Sequence, residues 1–593
     1  MVRSVQVSVA IVLGSFFSAI PSYALAQSTT GISREEIERQ PVSPLPSSAA
    51  QAVTVSSDVE RAPCPLADPS FAGVTLTLQR ADFSGLSGIS EDMLRPTYAR
   101  YVGQTIPIAT VCEIRDTAAT LLRRKGYLAA VQVPPQKISD GVVKFDVLLG
   151  RIVDFQVRGN AGKAERLISG YLSSIKEQPV FNILEAERYL LLARDIPGYD
   201  VRLTLRPAGT VPGEVIGEVL VDYRPVEAEA NVQNYGSKST GRFGGLLQAR
   251  YNGLFGIGDR TSIGFFNTAD FDEQHVLQLG EQVRLGREGL TLSADFVHAW
   301  TRPDLGPTID LRSRTLVGSL EARYPLVRRQ SKNIYLAGGL DLINQRVSLA
   351  NTPFTRDKLR VGYIRADLDS IDPDSLSSIA GFSAAEPRWR VGGSLELRHG
   401  LGIFSATKGC GPNQIRCATA LVLPSQQEAD PTAFVARATA TFEYRPSPAL
   451  AIVTSVRAQY APNPLLSYEE FSAGNFTSGR GYDPGILTGD SGIGVNSELR
   501  LGSLIPKSTR SSAFQGYAFA DSARVWNEDR LVRPLGLQRL VSVGGGIRAA
   551  YGDRAILDIG AAIPLRRVGT QTKRSDVRLL VNLFVKLAPN GRR

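Results

Sequence analysis

Residues 479–490 read Gly-Arg-Gly-Tyr-Asp-Pro-Gly-Ile-Leu-Thr-Gly-Asp. Four glycines and a proline in so short a stretch rule out a helix or a plain strand. They make a tight, pre-shaped hairpin that carries one cation, Arg480, and one aromatic ring, Tyr482, separated by Gly481. A guanidinium taken out of water needs an anion, and its planar fork suits a carboxylate. Inside a β-barrel such a hairpin is a plug or a gate.

Other constellations that could do chemistry are sparse. The three histidines, His275, His298 and His399, fall in no HExxH or similar ligand spacing. His298 and His399 lie at apolar-parity strand positions, which favours structural or interfacial roles. No GxxxxGK[ST] is present, so no nucleotide-driven motor is visible. Gly544-Gly545-Gly546 has no helix after it, so it reads as a strand that bends or packs closely rather than a phosphate loop. We therefore assign no catalytic residue, no metal ligand and no cofactor. Cys64 and Cys112, and Cys410 and Cys417, form two pairs that are disulfide candidates in an oxidising compartment.

Export is expected from the N-terminus. Arg3, the apolar stretch Val5 to Ile20 and the small-x-small Ala24-Leu25-Ala26 predict a signal peptide over residues 1–26. Residues 31–40 predict a short helix, with Ser33 and Glu36 at capping-box spacing; so short a helix must dock to persist. Residues 41–67, rich in Pro, Ser and Ala, predict an extended linker. From Pro41 to Pro63, at about 3 Å per residue, it reaches up to ~70 Å. Two successive β-α-α-β-β units follow, residues 68–150 and 151–225, with helices near Ile114–Lys125, Ala164–Ser174 and Leu184–Ala193.

From residue 226 to residue 593 only strands are predicted. Phe434, Ala436, Ala438, Ala440, Phe442 and Tyr444 alternate with Val435, Arg437, Thr439, Thr441, Glu443 and Arg445. The segments 389–398, 450–460, 495–501 and 577–586 alternate likewise. Apolar outside and charged inside is the pattern of a transmembrane barrel. At about 23 residues per strand and connection, this stretch accommodates roughly sixteen strands. No run of 18 apolar residues appears after the signal segment, and mean hydropathy is −0.06, as expected when strands alternate. Net charge is +10, but the arginines are scattered at alternate strand positions. That predicts a basic lumen and no nucleic-acid surface.

These features resemble the two-partner secretion transporters (TpsB, haemolysin secretion/activation proteins) of the superfamily that joins POTRA modules to an outer-membrane barrel. The resemblance rests on Leu121 to Tyr127, Val133-Pro134-Pro135-Gln136 and Asp140-Gly141 in the first module. In the second it rests on Gly150-Arg151-Ile152 and Arg158-Gly159-Asn160. At the start of the barrel it rests on Asn234-Tyr235-Gly236-Ser237, Thr240-Gly241-Arg242 and Gly256-Ile257-Gly258-Asp259. Arg480-Gly481-Tyr482 is similar to the motif of the family's inward-folded loop. The matching wall motif, Phe-x-Asp-x-Gly, is found as Phe519-Ala520-Asp521-Ser522-Ala523, with Ala523 in place of the glycine. Asp521 shares parity with Gln515, Tyr517 and Phe519, so it is expected to face the lumen and meet Arg480.

The resemblance implies a mainly β fold: a 16-stranded antiparallel transmembrane β-barrel over residues 226–593, preceded by two α+β POTRA modules. It further implies a plug helix at 27–40, with Ile32, Glu36 and Ile37 as its seating residues. Function is then ATP-independent export of an unfolded β-solenoid exoprotein, adhesin or cytolysin, through a monomeric pore. The barrel would sit among outer-membrane lipids of a Gram-negative cell, with the modules in the periplasm. Alternatives are a barrel-assembly factor and an outer-membrane lipid hydrolase.

Overall fold

The computed structural model describes residues 33–37, 64–138, 140–160, 162–209, 213–377, 379–411, 414–529, 536–568 and 576–588. The expected signal peptide, Ile32 and the linker up to residue 63 lie outside the described residues.

The first module packs a three-stranded sheet, Arg80–Ser84 and Val142–Leu149 in parallel with Ala129–Gln132 antiparallel at the other edge, against the helix Thr110–Arg124. The helix buries Val111, Ile114, Ala118 and Leu122 on one stripe. It stops where Gly126 adopts φ +90°, a left-handed turn that costs glycine nothing. The expected first helix of this module is absent. Three 3-10 turns, Glu91–Met93, Arg95–Thr97 and Ala99–Tyr101, stand there instead. Pro96 lacks an N–H and disfavours α backbone at Arg95, so a continuous helix is blocked. A small extra ladder, Thr75–Thr77 with Thr105–Pro107, ties the segment down. The Cys64–Cys112 disulfide fastens the linker's end to the main helix.

The second module follows the expected order. Its sheet joins Arg151–Gly159, Glu214–Tyr223 and Tyr199–Pro207. The helices Glu165–Lys176 and Ile183–Arg194 cover it, burying Ile168, Tyr171, Leu172, Leu190 and Leu192. Asn182 caps the latter helix by accepting from Leu184 N–H (2.9 Å). A backbone bond from Ile183 N–H to Gly126 O (2.8 Å) links the two modules.

Sixteen antiparallel strands, from Val226–Gln233 to Arg578–Lys586, close into a barrel. Closure is made by five residue pairs, Asn582↔Gln233 to Lys586↔Glu229. Beyond them the Asn234 side chain continues the ladder, accepting from Val581 N–H (2.8 Å) and donating to Leu579 O (2.9 Å). Phe434, Phe442 and Tyr444 face outward and are exposed, as are Leu395 and Leu397 on the neighbouring strand, while Arg398 is buried on the inner face. Phe434 to Tyr444 spans about 25 Å along the barrel axis for strands tilted about 40°, the height of a bilayer's apolar band. The strands Leu311–Arg328, Lys332–Leu349 and Thr352–Ile371 are 18, 18 and 20 residues long. At the same tilt they rise about 45–50 Å and so project well past that band. The loop 401–433, which holds the Cys410–Cys417 disulfide, folds onto this projection on the side away from the modules. Thr407 N–H donates to Lys358 O (2.9 Å) and Arg356 N–H to Leu423 O (2.9 Å).

Candidate functional site

The loop between the strands Leu450–Tyr460 and Ser491–Gly502 turns into the lumen. Its stem is a small ladder of its own, Phe471–Ala473 against Leu487–Gly489, separate from the barrel sheet. At its tip, Arg480 and Asp521 meet. Arg480 donates Nε to Oδ2 (3.0 Å), Nη2 to Oδ1 (2.7 Å) and its backbone N–H to Oδ2 (2.9 Å). The Asp521 side chain is 0% exposed. Removing one member of so buried a pair leaves the other charge stranded, at a cost of about 3–5 kcal/mol.

Gly481 lies so close to the wall that a Cβ there would stand 2.9 Å from Pro564 N and from Ser542 Cβ. Only glycine lets the hairpin press this near. Tyr482 is buried, with its hydroxyl 2.8 Å from Val541 O and 2.9 Å from Arg566 O, and it accepts from Arg566 N–H (3.2 Å). Phe519 lies under Arg480, whose guanidinium carbon stands 3.6 Å from the ring centroid. Room for that ring comes from Gly544: a Cβ there would meet Phe519 at 2.5 Å, and one at Gly546 would meet the Tyr517 hydroxyl at 2.7 Å. The glycine run is thus a strand under close aromatic packing. Ala523 is buried beside Phe471, Tyr482 and Leu540, so its methyl fills core where the family motif has glycine.

Several partners were invisible in the sequence. Glu498 pairs with Arg480, Arg500 Nε (2.7 Å) and Arg548 Nη2 (3.1 Å), and Arg548 Nε reaches Asp558 (3.0 Å). At the hairpin's far edge, Asp483 accepts from Arg578 Nη1 (2.6 Å), which also donates to Tyr482 O (2.7 Å). Arg578 Nη2 meanwhile holds Gly236 O (2.8 Å). These meetings depend on cross-strand register, which parity alone does not supply.

The lumen also differs from the expected basic surface. Arg365 pairs with Glu321 and Asp367, Arg398 with Asp341, Glu396 and Glu469, and Arg437 with Glu469. These inward arginines are neutralised by carboxylates rather than left as a free positive field, because an unpaired charge in a partly dry interior is costly.

The N-terminal helix is described over Arg34–Ile37, one turn, inside the barrel. Glu36 accepts from Ser33 N–H (3.3 Å), one half of the expected capping box. In the other half Ser33 Oγ donates to the Glu36 carboxylate (3.0 Å) instead of accepting from the backbone. Ile37 is buried with Leu466 and Tyr468. Glu35 joins wall to loop: it pairs with Arg457 (2.7 Å) and accepts from Ser472 Oγ (2.8 Å). Burial pushes its carboxyl up, but Arg34, Arg457, its own backbone and Ser472 outweigh that and hold it at about 2.

The second module seats on the barrel's near rim. Arg328 forks onto Asp195 with two bonds of 2.7 Å. Glu187 accepts from Gln330 N–H (2.7 Å), Arg188 donates to Pro325 O (3.0 Å), and Lys163 Nζ donates to Leu254 O (2.9 Å). The histidines take no part in either seat. His298 stacks on Trp300 with centroids 3.9 Å apart, His399 is exposed on the outer wall, and His275 bonds Asn267.

Comparison with known proteins agrees with this architecture. Escherichia coli CdiB matches with a TM-score of 0.68 at 16% identity, covering 91% of this chain and 95% of that one. Acinetobacter baumannii CdiB gives 0.61 at 17% identity, covering 99% and 100%. At that identity they speak for the fold. In sequence, the heme/hemopexin transporter protein HuxB of Haemophilus influenzae is 26% identical over 175 residues, 29% of this chain; the match spans about a third (31%) of that relative's length. The outer membrane transporter CdiB-2 of Burkholderia pseudomallei is 23% identical over 493 residues, covering 79% of this chain and 77% of that one. The model of the ShlB-type POTRA domain matches residues 76–150. That of the haemolysin secretion/activation proteins matches residues 219–549, more than half of the chain. With the barrel, the module and the inward hairpin in place, the chain belongs to the haemolysin secretion/activation protein family, ShlB/FhaC/HecB.

Proposed function

We propose that the chain is an outer-membrane translocase that exports one exoprotein partner without ATP. The partner arrives unfolded in the periplasm and docks on the two modules, whose open sheet edges suit an extended chain. The helix 34–37 leaves the lumen, the partner threads through, and its folding outside supplies direction. The pore works as a monomer among outer-membrane lipids and performs no bond chemistry. An elongated β-solenoid adhesin or cytolysin is the partner class that the family suggests.

One observation carries this reading. A closed barrel holds in its lumen two elements, a hairpin and a one-turn helix, that are joined to the wall by side chains rather than by strand pairing. Such elements can leave without unzipping the barrel. Comparing culture supernatants with and without the chain tests it: one large secreted polypeptide is expected to vanish. Loss of many outer-membrane barrels instead would favour an assembly factor.

A further inference from the structure

The hairpin's tip hangs on an arginine it offers to carboxylates of the wall. Its other limb is held by the reverse arrangement. Glu469, two residues before the stem, offers a carboxylate to arginines of the wall. Arg398 donates Nε to Oε2 (3.2 Å) and Nη2 to Oε1 (3.0 Å), and Arg437 donates Nη2 to Oε2 (2.6 Å). Gln459 Nε2 donates to Glu469 O (2.8 Å), fixing the backbone as well. The Glu469 side chain is 5% exposed. Burial alone would raise its carboxyl, but Arg398, Arg437 and Arg34 hold it down at about 2.

The arginines keep other partners when Glu469 is neutralised. Arg398 retains Asp341 (2.8 Å) and Glu396 (3.0 Å), and Arg437 retains Gln459 (2.8 Å). Arg398 thus keeps two close carboxylates of the wall and Arg437 keeps Glu396 at 3.7 Å, whereas Glu469 is the carboxylate that the loop itself brings to this cluster. Three residues on, Ser472 holds Glu35 of the helix. Across the stem, Gly485 faces Ser33.

We propose that Glu469 is a second, charge-reversed positioning residue of the pore, which seats the inward loop and, through it, the N-terminal helix. Its role in a pore rests on the translocase reading above. Loss of the Glu469 charge frees the limb from 469 to 473, and the helix loses one of the two surfaces that grip Glu35.

The test uses the full chain in detergent and in planar bilayers. A Cβ at Gly485 would stand 3.6 Å from Ser33 Cβ, a separation that a disulfide bridges. Ser33→Cys with Gly485→Cys thus reports helix seating, the strain at Gly485 being common to every background compared. Glu469→Gln is expected to lower crosslink formation roughly ten-fold, the equivalent of one charge-assisted bond. It should also raise open-channel time, while heat-modifiable mobility shows an intact barrel. Unchanged crosslinking and conductance overturn the proposal. Should Glu469→Gln fail to insert, Glu469→Asp carries the test, since it keeps the charge but withdraws it; a wild-type crosslink rate there overturns the proposal too. Neither readout needs a transported partner. A chain that exports nothing yet loses the crosslink refutes the translocase reading alone.

Discussion

The lumen seat and the rim seat are built from the same part and differ in where it lies. Arg480 forks onto Asp521 within the barrel, and Arg328 forks onto Asp195 where the second module meets the rim. The inner carboxylate is fully shielded. The outer pair keeps 15% and 22% of its side chains exposed. The two guanidiniums are covered alike, 15% of Arg328 and 18% of Arg480 being exposed, so the difference lies at the carboxylates: water and salt reach Asp195 and not Asp521. The inner pair also carries a ring beneath it and a second carboxylate beside it, whereas the outer pair is one of several independent bonds along the rim. The shielded carboxylate therefore loses more when its partner is removed.

The sharpest break of this comparison is Arg480→Ala. It strands Asp521, and the expected outcome is loss of secretion with the barrel still inserted. Supernatant immunoblots alongside heat-modifiable mobility check it, and normal export would refute the pairing role. Next in size is deletion of residues 27–40. The helix is held in the lumen by Glu35 and Ile37, so its removal is expected to raise ion conductance in planar bilayers, while an unchanged trace would show that it does not plug.

Much of this architecture is legible in the sequence. Alternation placed Arg437 and Asp521 inward and Phe442 outward, because a period of two admits no other arrangement once one face meets lipid. The hairpin followed from its glycines, and the Arg480–Asp521 meeting from motif resemblance. What parity could not give is which inward residues become neighbours. Glu498 faces Phe519 across the ladder, and Arg548 faces Gln515, so the Glu498 carboxylate that Arg480 and Arg548 share needs register and curvature. Glu469 lies in an irregular loop with no period at all. The first module's missing helix was readable in principle from Pro96, whose effect on Arg95 outweighs the helical composition around it.

A smaller effect is expected at the rim. Asp195→Ala removes a pair whose carboxylate water reaches, worth about 1 kcal/mol, and Glu187, Arg188 and Lys163 still hold the module. Secretion should fall a few-fold, not vanish, and the wild type's own export should weaken with ionic strength in the same sense. Exchanging the charges, Asp195→Arg with Arg328→Asp, should restore most of the loss. An all-or-none defect in Asp195→Ala would erase the distinction between the two seats.

The finest test lies within the loop, where consecutive carboxyls are driven opposite ways. Glu469, among arginines, is held at about 2. Glu470 is buried and faces Asp490 and Asp529, with Thr488 and Gln426 only partly offsetting, and is pushed up to about 8. A depressed carboxyl contributes stability above its unfolded value near 4.5, lost only as pH falls toward 2. A raised one behaves inversely: its contribution is complete below about 4.5 and drains as pH rises through about 8. Between pH 5 and 9 Glu469 is constant and Glu470 is not, so the loop should loosen toward alkaline pH. Limited proteolysis within residues 461–490 should accelerate over that range. Glu470→Gln, which keeps the shape and cannot ionise, should flatten the profile, whereas a profile unchanged by that substitution would place the titrating group at Asp490, itself raised to about 6.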